Sequence, residues 1–104
     1  ARRELSDRAR FHAEQLGRKP TRISVRDTRS RWGSCSSTGA LSFSWRLILA
    51  PEHVLDYVCA HEAAHLIEMN HSGRFWALCD GLVENMDMSR AWLKRHGATL
   101  HRYG

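Results

Sequence analysis

Apolar residues at helical spacing open the chain. Residues 2–16 carry apolar side chains at intervals of three or four positions, namely Leu5, Ala9, Ala13 and Leu16. Gly17 follows this run, and glycine commonly ends a helix. The pattern predicts an amphipathic helix over residues 2–16.

After the break at Lys19-Pro20, apolar and polar residues alternate strictly instead of following the helical spacing. From Thr21 to Arg26, Ile23 and Val25 point to one side, and the polar residues between them point to the other. This alternation predicts a half-buried strand.

A hairpin is predicted next. A second strand is expected at about Arg31 to Ser34, and the turn-forming run Ser36-Ser37-Thr38-Gly39 follows it. From Ala40 to Trp45 the residues alternate again, which predicts a third strand with Leu41, Phe43 and Trp45 on one face.

The second half of the chain returns to helical spacing. Ala50-Pro51-Glu52 has the features of a helix start, because proline suits the first turn and glutamate favours its positive end. We expect this helix to reach about Glu68, with Asn70 as a left-handed residue at its C-terminus.

Two shorter helices are predicted after it. Ser72 is expected to cap a helix through about Val83, and a last helix is expected from Met88 or Ser89 to about His96, before Gly97. A helix, three strands and further helices, in that order, indicate an α+β fold with a small three-stranded sheet packed on helices.

The long helix carries the segment that points to chemistry, His61-Glu62-Ala63-Ala64-His65. Residues four apart share one face of a helix, so His61 and His65 can bind one zinc ion. Zinc lowers the pKa of a bound water to about 7, and Glu62 can accept the proton as general base. The flanking residues are apolar, and a buried face with these polar groups needs partners that a metal supplies.

A catalytic zinc usually has three protein ligands and an open position. His71 follows His65 by six residues, just past the predicted helix end, and a chain reversal can return it to the metal. This spacing matches the metzincin signature, although Glu68 stands in place of its turn glycine. Glu68 and Glu84 are alternative third ligands; we favour His71.

Length and composition restrict the class of protein. The chain has 104 residues, which suits one domain over residues 1–104. It has no apolar run long enough to span a membrane. The three cysteines are odd in number and lack Cys-x-x-Cys spacing, so we expect no disulfide framework and a cytoplasmic location, with Cys59 and Cys79 as apolar fillers.

The net charge of +5 is unevenly distributed. Residues 1–31 contain ten Arg or Lys against four Asp or Glu, and residues 32–104 contain six against seven. A basic first third is compatible with nucleic-acid binding and also with an ordinary solvated surface. The oligomeric state is not predicted from these features.

Three segments together resemble the YgjP-like metallopeptidase-domain family, which is related to the WLM and SprT-like zincins. They are Arg31-Trp32-Gly33-Ser34-Cys35-Ser36 with Trp45-Arg46-Leu47, then His61-Glu62-x-x-His65, then Asn70-His71-Ser72-x-x-Phe75-Trp76. Ser44 and Ala63 depart from the family pattern, which commonly has Asn and Leu there, but no ligand is lost.

The resemblance implies a minimal zincin-like catalytic domain that is the C-terminal part of a longer protein. It implies a zinc metallopeptidase acting on peptides or proteins. Two alternatives stay open. The family is often labelled a metal-dependent nucleotide pyrophosphatase, and some WLM and SprT-like proteins act at DNA–protein crosslinks, which would suit a DNA-associated module with a structural zinc.

Further residues are assigned by position. The region Trp32-Gly33-Ser34 is expected to line a cleft at the sheet edge, where Gly33 allows close backbone approach. The alternative is that Trp32 and Trp45 are core residues and Gly33 forms a bulge. Phe75 and Trp76 are expected to fix His71. Candidates for oxyanion stabilisation are Tyr57, Tyr103, Arg46 and His101. The surface is expected to contain His12, His53 and His96.

Overall fold

The computed structural model describes residues 2–27 and 31–96. Four α-helices and three strands follow the predicted order. In chain order they are α1 (Arg2–Gln15), β1 (Arg22–Arg26), β2 (Gly33–Cys35), β3 (Ala40–Ser44), a 3₁₀ helix (Trp45–Leu49), α2 (Glu52–Ala64), α3 (Gly73–Leu82) and α4 (Met86–His96). The predicted α+β layout is thereby confirmed.

The central strand of the sheet is β3. It pairs in parallel with β1 and antiparallel with β2, which gives the order β1-β3-β2 and confirms the predicted hairpin. The register aligns Ser24, Ser42 and Ser34 across the three strands. Because side chains alternate between the two faces of a sheet, these serines lie on one face while Leu41 and Phe43 point into the core.

The helix α2, which carries the segment His61–His65, forms the centre of the molecule. Ten of its 13 residues are buried, as expected for a helix that is covered on all sides. It packs against α1, α3, α4 and β2. Small residues on this helix, among them Cys59, Ala60 and Ala63, have no exposed surface and let the neighbouring elements approach closely. Its motif is therefore held rigidly.

Ionic contacts join α1 to α2. Arg8 forms ion pairs with Glu4, Glu52 and Asp56. The imidazole of His12 is only 2% exposed, and its Nε2 lies 3.0 Å from Asp56 Oδ1. The expected surface position of His12 is therefore wrong, because the partner that makes its burial tolerable comes from a helix 44 residues away.

The pKa of Asp56 gives the first prediction. Burial raises it, but the hydrogen bonds and charges of His12 and Arg8 outweigh burial and hold the pKa below its ordinary value of 3.8. The ionised group therefore stabilises the fold above the unfolded pKa, and this contribution disappears as the pH falls through the folded pKa. Urea unfolding should show a smaller loss of stability on acidification in Asp56→Asn than in wild type. Asp80→Asn, at an exposed position, is the control; identical acid profiles in Asp56→Asn and wild type would contradict the prediction.

Three local predictions need correction. The helix α2 ends at Ala64 rather than near Glu68, and a turn at residues 65–67 reverses the chain. Among the described non-glycine residues, the positive φ belongs to Asn85, so Asn70 is not left-handed. Trp45 begins the 3₁₀ helix instead of extending β3, and it is 39% exposed rather than facing the core with Phe43.

Candidate metal centre

The structure brings three imidazoles together at the end of α2. His61 lies in the helix, His65 is its C-terminal cap, and His71 lies in the loop before α3. Their ring centroids form a nearly equilateral triangle with sides of 5.1, 5.3 and 5.0 Å. One ring nitrogen of each lies within 4.8 Å of the others. His61 and His65 are buried, whereas His71 is exposed, so the group opens to solvent on one side.

Hydrogen bonds at Nδ1 orient the two buried imidazoles. His65 Nδ1 lies 3.0 Å from the carbonyl oxygen of Glu68, to which it must donate because a carbonyl only accepts. His61 Nδ1 shares a hydrogen bond of 3.2 Å with the hydroxyl of Tyr57, one turn earlier on α2. With Nδ1 engaged, Nε2 is the ligand nitrogen that both histidines offer to a metal.

Tyr57, a candidate for oxyanion stabilisation, is instead the hydrogen-bond partner of His61. It is completely buried beneath His61 and is not positioned as an oxyanion donor at an open site. Partners of this kind fix the ring and raise the basicity of a ligand histidine. Tyr57→Phe should weaken metal affinity by about tenfold or more, as measured by competition with a chromogenic chelator. An unchanged dissociation constant would mean that packing alone orients His61.

Aromatic residues of α3 hold the third histidine. Ser72 caps α3 by accepting a hydrogen bond from the Phe75 amide, as predicted. The Phe75 ring lies 4.8, 4.4 and 5.0 Å from the imidazoles of His61, His65 and His71. Trp76 stacks on His71 at 5.6 Å, and the guanidinium of Arg90 lies 4.2 Å from the Trp76 ring centroid. The exposed imidazole of His71 is thus in contact with α3, which α4 contacts through Arg90, and the contact of Arg90 was not predicted.

The side chain of Glu62, which follows His61 on α2, is buried. The residue has no exposed surface, and neither of its carboxylate oxygens has a hydrogen-bond partner among the described residues. Burial raises the pKa of Glu62 to about 8, and the charge of Arg31 opposes this shift. A carboxylate in such surroundings requires a nearby cation or an ordered water.

Gly33 on β2 packs directly against Glu62. A Cβ at this position would lie 3.0 Å from Glu62 Cγ, 3.1 Å from its Oε2 and 3.2 Å from Val58 Cγ1. These separations are shorter than most Cβ contacts, so a larger residue at this position would require the side chains of Glu62 and Val58 to shift. The contact connects the edge strand to the carboxylate, and the predicted role of Gly33 in a substrate cleft stays a prediction.

The two residues adjacent to Gly33 in the sequence differ in burial. Ser34 lies on the edge strand β2 and is half-buried. Trp32 is 6% exposed and packs edge-to-face against Trp92 of α4, so it is a core residue. The edge of β2 remote from β3 has no partner strand among the described residues.

Other candidate residues do not join the imidazoles. The guanidinium of Arg46 is held 2.6 Å from Asp27 and lies over Trp45. The carboxylates of Glu68 and Glu84 are not part of the metal-ligating group found among residues 2–27 and 31–96. His101 and Tyr103 lie outside the described residues.

Two of the three cysteines are buried, and Cys35 is half-buried. Cys59 and Cys79 are fully buried, as predicted, and all three cysteines are unpaired. Burial raises the pKa of the Cys35 thiol to about 11, and the charge of Glu62 raises it further. A raised pKa disfavours the thiolate, which is the nucleophilic form of cysteine.

Arg31 is the functional candidate that the sequence analysis missed. It was quoted only as part of a motif, but its charge acts on Glu62. A signal was available in the sequence, because Arg26 and Arg31 both precede the edge strand β2 closely, and guanidinium groups are suited to carboxylates and phosphates.

Among the described helices, none has the combined length and apolar character that crossing a bilayer requires.

Comparison with known proteins agrees with this geometry. The YgjP-like, metallopeptidase domain family model matches residues 1–96. The fold is similar to the crystal structure of the metallopeptidase zymogen of Pyrococcus abyssi abylysin, with a TM-score of 0.74 and 20% identity over 94% of this chain and 96% of that chain. No curated protein matches. The match over nearly the whole sequence confirms the predicted resemblance, and the chain belongs to the YgjP-like metallopeptidase-domain family of metal-dependent hydrolases.

Proposed function

We propose that this chain is a zinc-dependent peptidase in which His61, His65 and His71 bind the metal and Glu62 is the general base. The observation that carries the proposal is the convergence of three imidazoles beside a buried carboxylate without a hydrogen-bond partner. Family membership supports a metal-dependent peptidase, and the residues present fit the metal.

The choice of zinc follows from the donor set. Three neutral imidazole nitrogens suit zinc and other late first-row ions, whereas magnesium and calcium prefer oxygen ligands. A bivalent cation would also supply the positive charge that the Glu62 carboxylate requires. Zinc is the most widely used hydrolytic ion with such ligands, and we propose it as the cofactor.

A catalytic centre is favoured over a structural one. Structural zinc sites are closed by four protein ligands, whereas catalytic sites have three and an open position. Among the described residues the group has three members, and its His71 side is exposed. A structural zinc would also leave Glu62 without a role.

Each part of the proposed site has a separate role in hydrolysis. A bound zinc supplies Lewis acidity that polarises the scissile carbonyl and favours ionisation of water. Glu62 accepts the proton of the attacking water and then delivers it to the departing amine nitrogen. The backbone of Gly33 and Ser34 pairs with the extended substrate along the unpaired edge of β2, as in strand addition.

The proposal extends to the cellular setting of the chain. The three unpaired cysteines support a reducing, cytoplasmic location. Binding of nucleic acid through residues 1–31 stays a prediction, and the ion pairs of Arg8 remove part of the positive charge that it requires.

Removal and return of the metal test the proposal. Treatment with 1,10-phenanthroline should abolish hydrolysis of a mixed peptide library followed by mass spectrometry, and one equivalent of zinc should restore it. Elemental analysis before and after treatment verifies the occupancy, and mock-treated protein is the control. Peptide cleavage that persists in verified metal-free protein would overturn the proposal.

A further inference from the structure

A small pocket lies on the face of the sheet that carries Ser34 and Ser42, and its lining includes Gly33 and Ser34 of β2. It has a volume of about 140 Å³, and its lining includes Arg26, Arg31, Ser34, Ser42 and Ser44. Ser34 and Ser42 are paired in the register, which places them on the face opposite the core residues of β3. No carboxylate is among the lining residues. The pocket therefore presents two positive charges and several hydroxyls.

Arg26 is suited to binding an incoming anion. It is exposed at the end of β1, and among the described residues it has no ion-pair partner. This differs from Arg8 and Arg46, whose guanidiniums are held by carboxylates of the chain. A guanidinium can bind a carboxylate through two parallel hydrogen bonds.

The pocket is connected to the proposed reaction centre through two residues. Gly33 lines the pocket and also packs against Glu62. Arg31 lines the pocket, and its charge acts on Glu62. Because β2 is only three residues long, a ligand in the pocket lies within a few residues of the scissile bond of any peptide paired with that strand.

We propose that this pocket is a subsite that binds a carboxylate of the peptide substrate. The inference rests on the proposed peptidase function and names the substrate class, which is peptides with an acidic group near the cleavage site. Successive side chains of an extended peptide point to opposite sides. A substrate strand on β2 therefore directs alternate residues toward the metal side and toward the pocket. The carboxylate is either an acidic side chain or the C-terminal carboxylate of the peptide.

Three matched peptides distinguish these sources. One has a glutamine near the cleavage site and an amidated C-terminus, the second has glutamate in place of glutamine, and the third has the glutamine with a free C-terminal carboxylate. The zinc-loaded wild type should favour at least one carboxylate peptide by roughly tenfold in kcat/KM, the size of a hydrogen bond to a charged group. Equal values for all three peptides would overturn the subsite.

Arginine variants assign the preference to the pocket. Arg26→Gln should remove most of the tenfold preference for a carboxylate peptide. Arg26→Glu should instead favour a peptide that has lysine in place of the glutamine. Arg22→Gln is the matched control, because Arg22 is also an exposed arginine of β1 but is paired with Ala40, outside the pocket lining. Loss of the preference in Arg22→Gln and not in Arg26→Gln would contradict the assignment.

A binding measurement separates failure of the subsite from failure of the function. Fluorescence anisotropy with labelled forms of the three peptides on zinc-loaded Glu62→Gln reports affinity without turnover. If the wild type cleaves no peptide, the peptidase proposal fails, and equal anisotropy affinities then overturn the subsite as well. Competition with a nucleoside triphosphate tests for phosphate binding. If the triphosphate displaces the labelled peptides more strongly than unlabelled glutamate peptide does, and if this difference is absent in Arg26→Gln, the pocket binds phosphate and the proposal is overturned.

Discussion

Glu62→Gln is expected to lower kcat for peptide hydrolysis by a factor of about 10²–10⁴, the usual contribution of a general base. Zinc content should be unchanged, because the three imidazoles are untouched. Folding stability should not fall, since a neutral amide of the same shape replaces a fully buried carboxylate without a hydrogen-bond partner. Steady-state kinetics, elemental analysis and thermal unfolding measure the three effects.

Glu68→Gln is the matched control for this experiment. Glu68 follows the motif closely, and its backbone carbonyl holds His65, but its side chain is outside the imidazole group. The variant should keep its activity and its metal. Turnover that survives in Glu62→Gln would eliminate Glu62 as the base, and loss of zinc in Glu68→Gln would make Glu68 a ligand.

His71→Ala is expected to weaken zinc binding by more than about a hundredfold, because loss of a group that binds the metal directly should cost more than loss of the hydrogen-bond partner of a ligand, which costs about 10–100-fold. Activity should fall in parallel at limiting zinc. The fold should survive, since His71 is exposed and lies in a loop. Competition with a chelator of known affinity gives the dissociation constant.

His53→Ala supplies the comparison, since His53 is an exposed histidine of α2 remote from the motif. It should bind zinc as the wild type does. If His71→Ala also bound zinc with wild-type affinity, the third ligand would have to be another group, and the three-histidine proposal would be wrong.

The imidazole group was predictable because its spacing is local. Two residues four apart on a helix must share a face, and His71 is only six residues beyond His65, so any tight reversal brings it near. The reversal itself was misplaced. It begins where α2 ends at Ala64, and no glycine stands at residues 64–67 to mark it.

Features that depend on distant elements were not predictable in the same way. His12 is buried because Asp56 lies opposite it on another helix, a pairing across 44 residues that no local pattern reveals. The contact between Gly33 and Glu62 likewise requires β2 to pack on α2. Sequence periodicity assigns residues to faces, but it does not say which faces meet.

Because Trp76 stacks on His71, its fluorescence should depend on which metal ion the histidines bind. Its indole lies 5.6 Å from His71 and 5.8 Å from His61, ring centre to ring centre. Ions with an open d shell, such as Co²⁺ and Cu²⁺, quench indole emission at this range, whereas the closed shell of Zn²⁺ does not. Exchange of one ion for another at the three histidines should therefore be visible in the native fluorescence of the chain, so that occupancy can be followed in real time without a dye or a label.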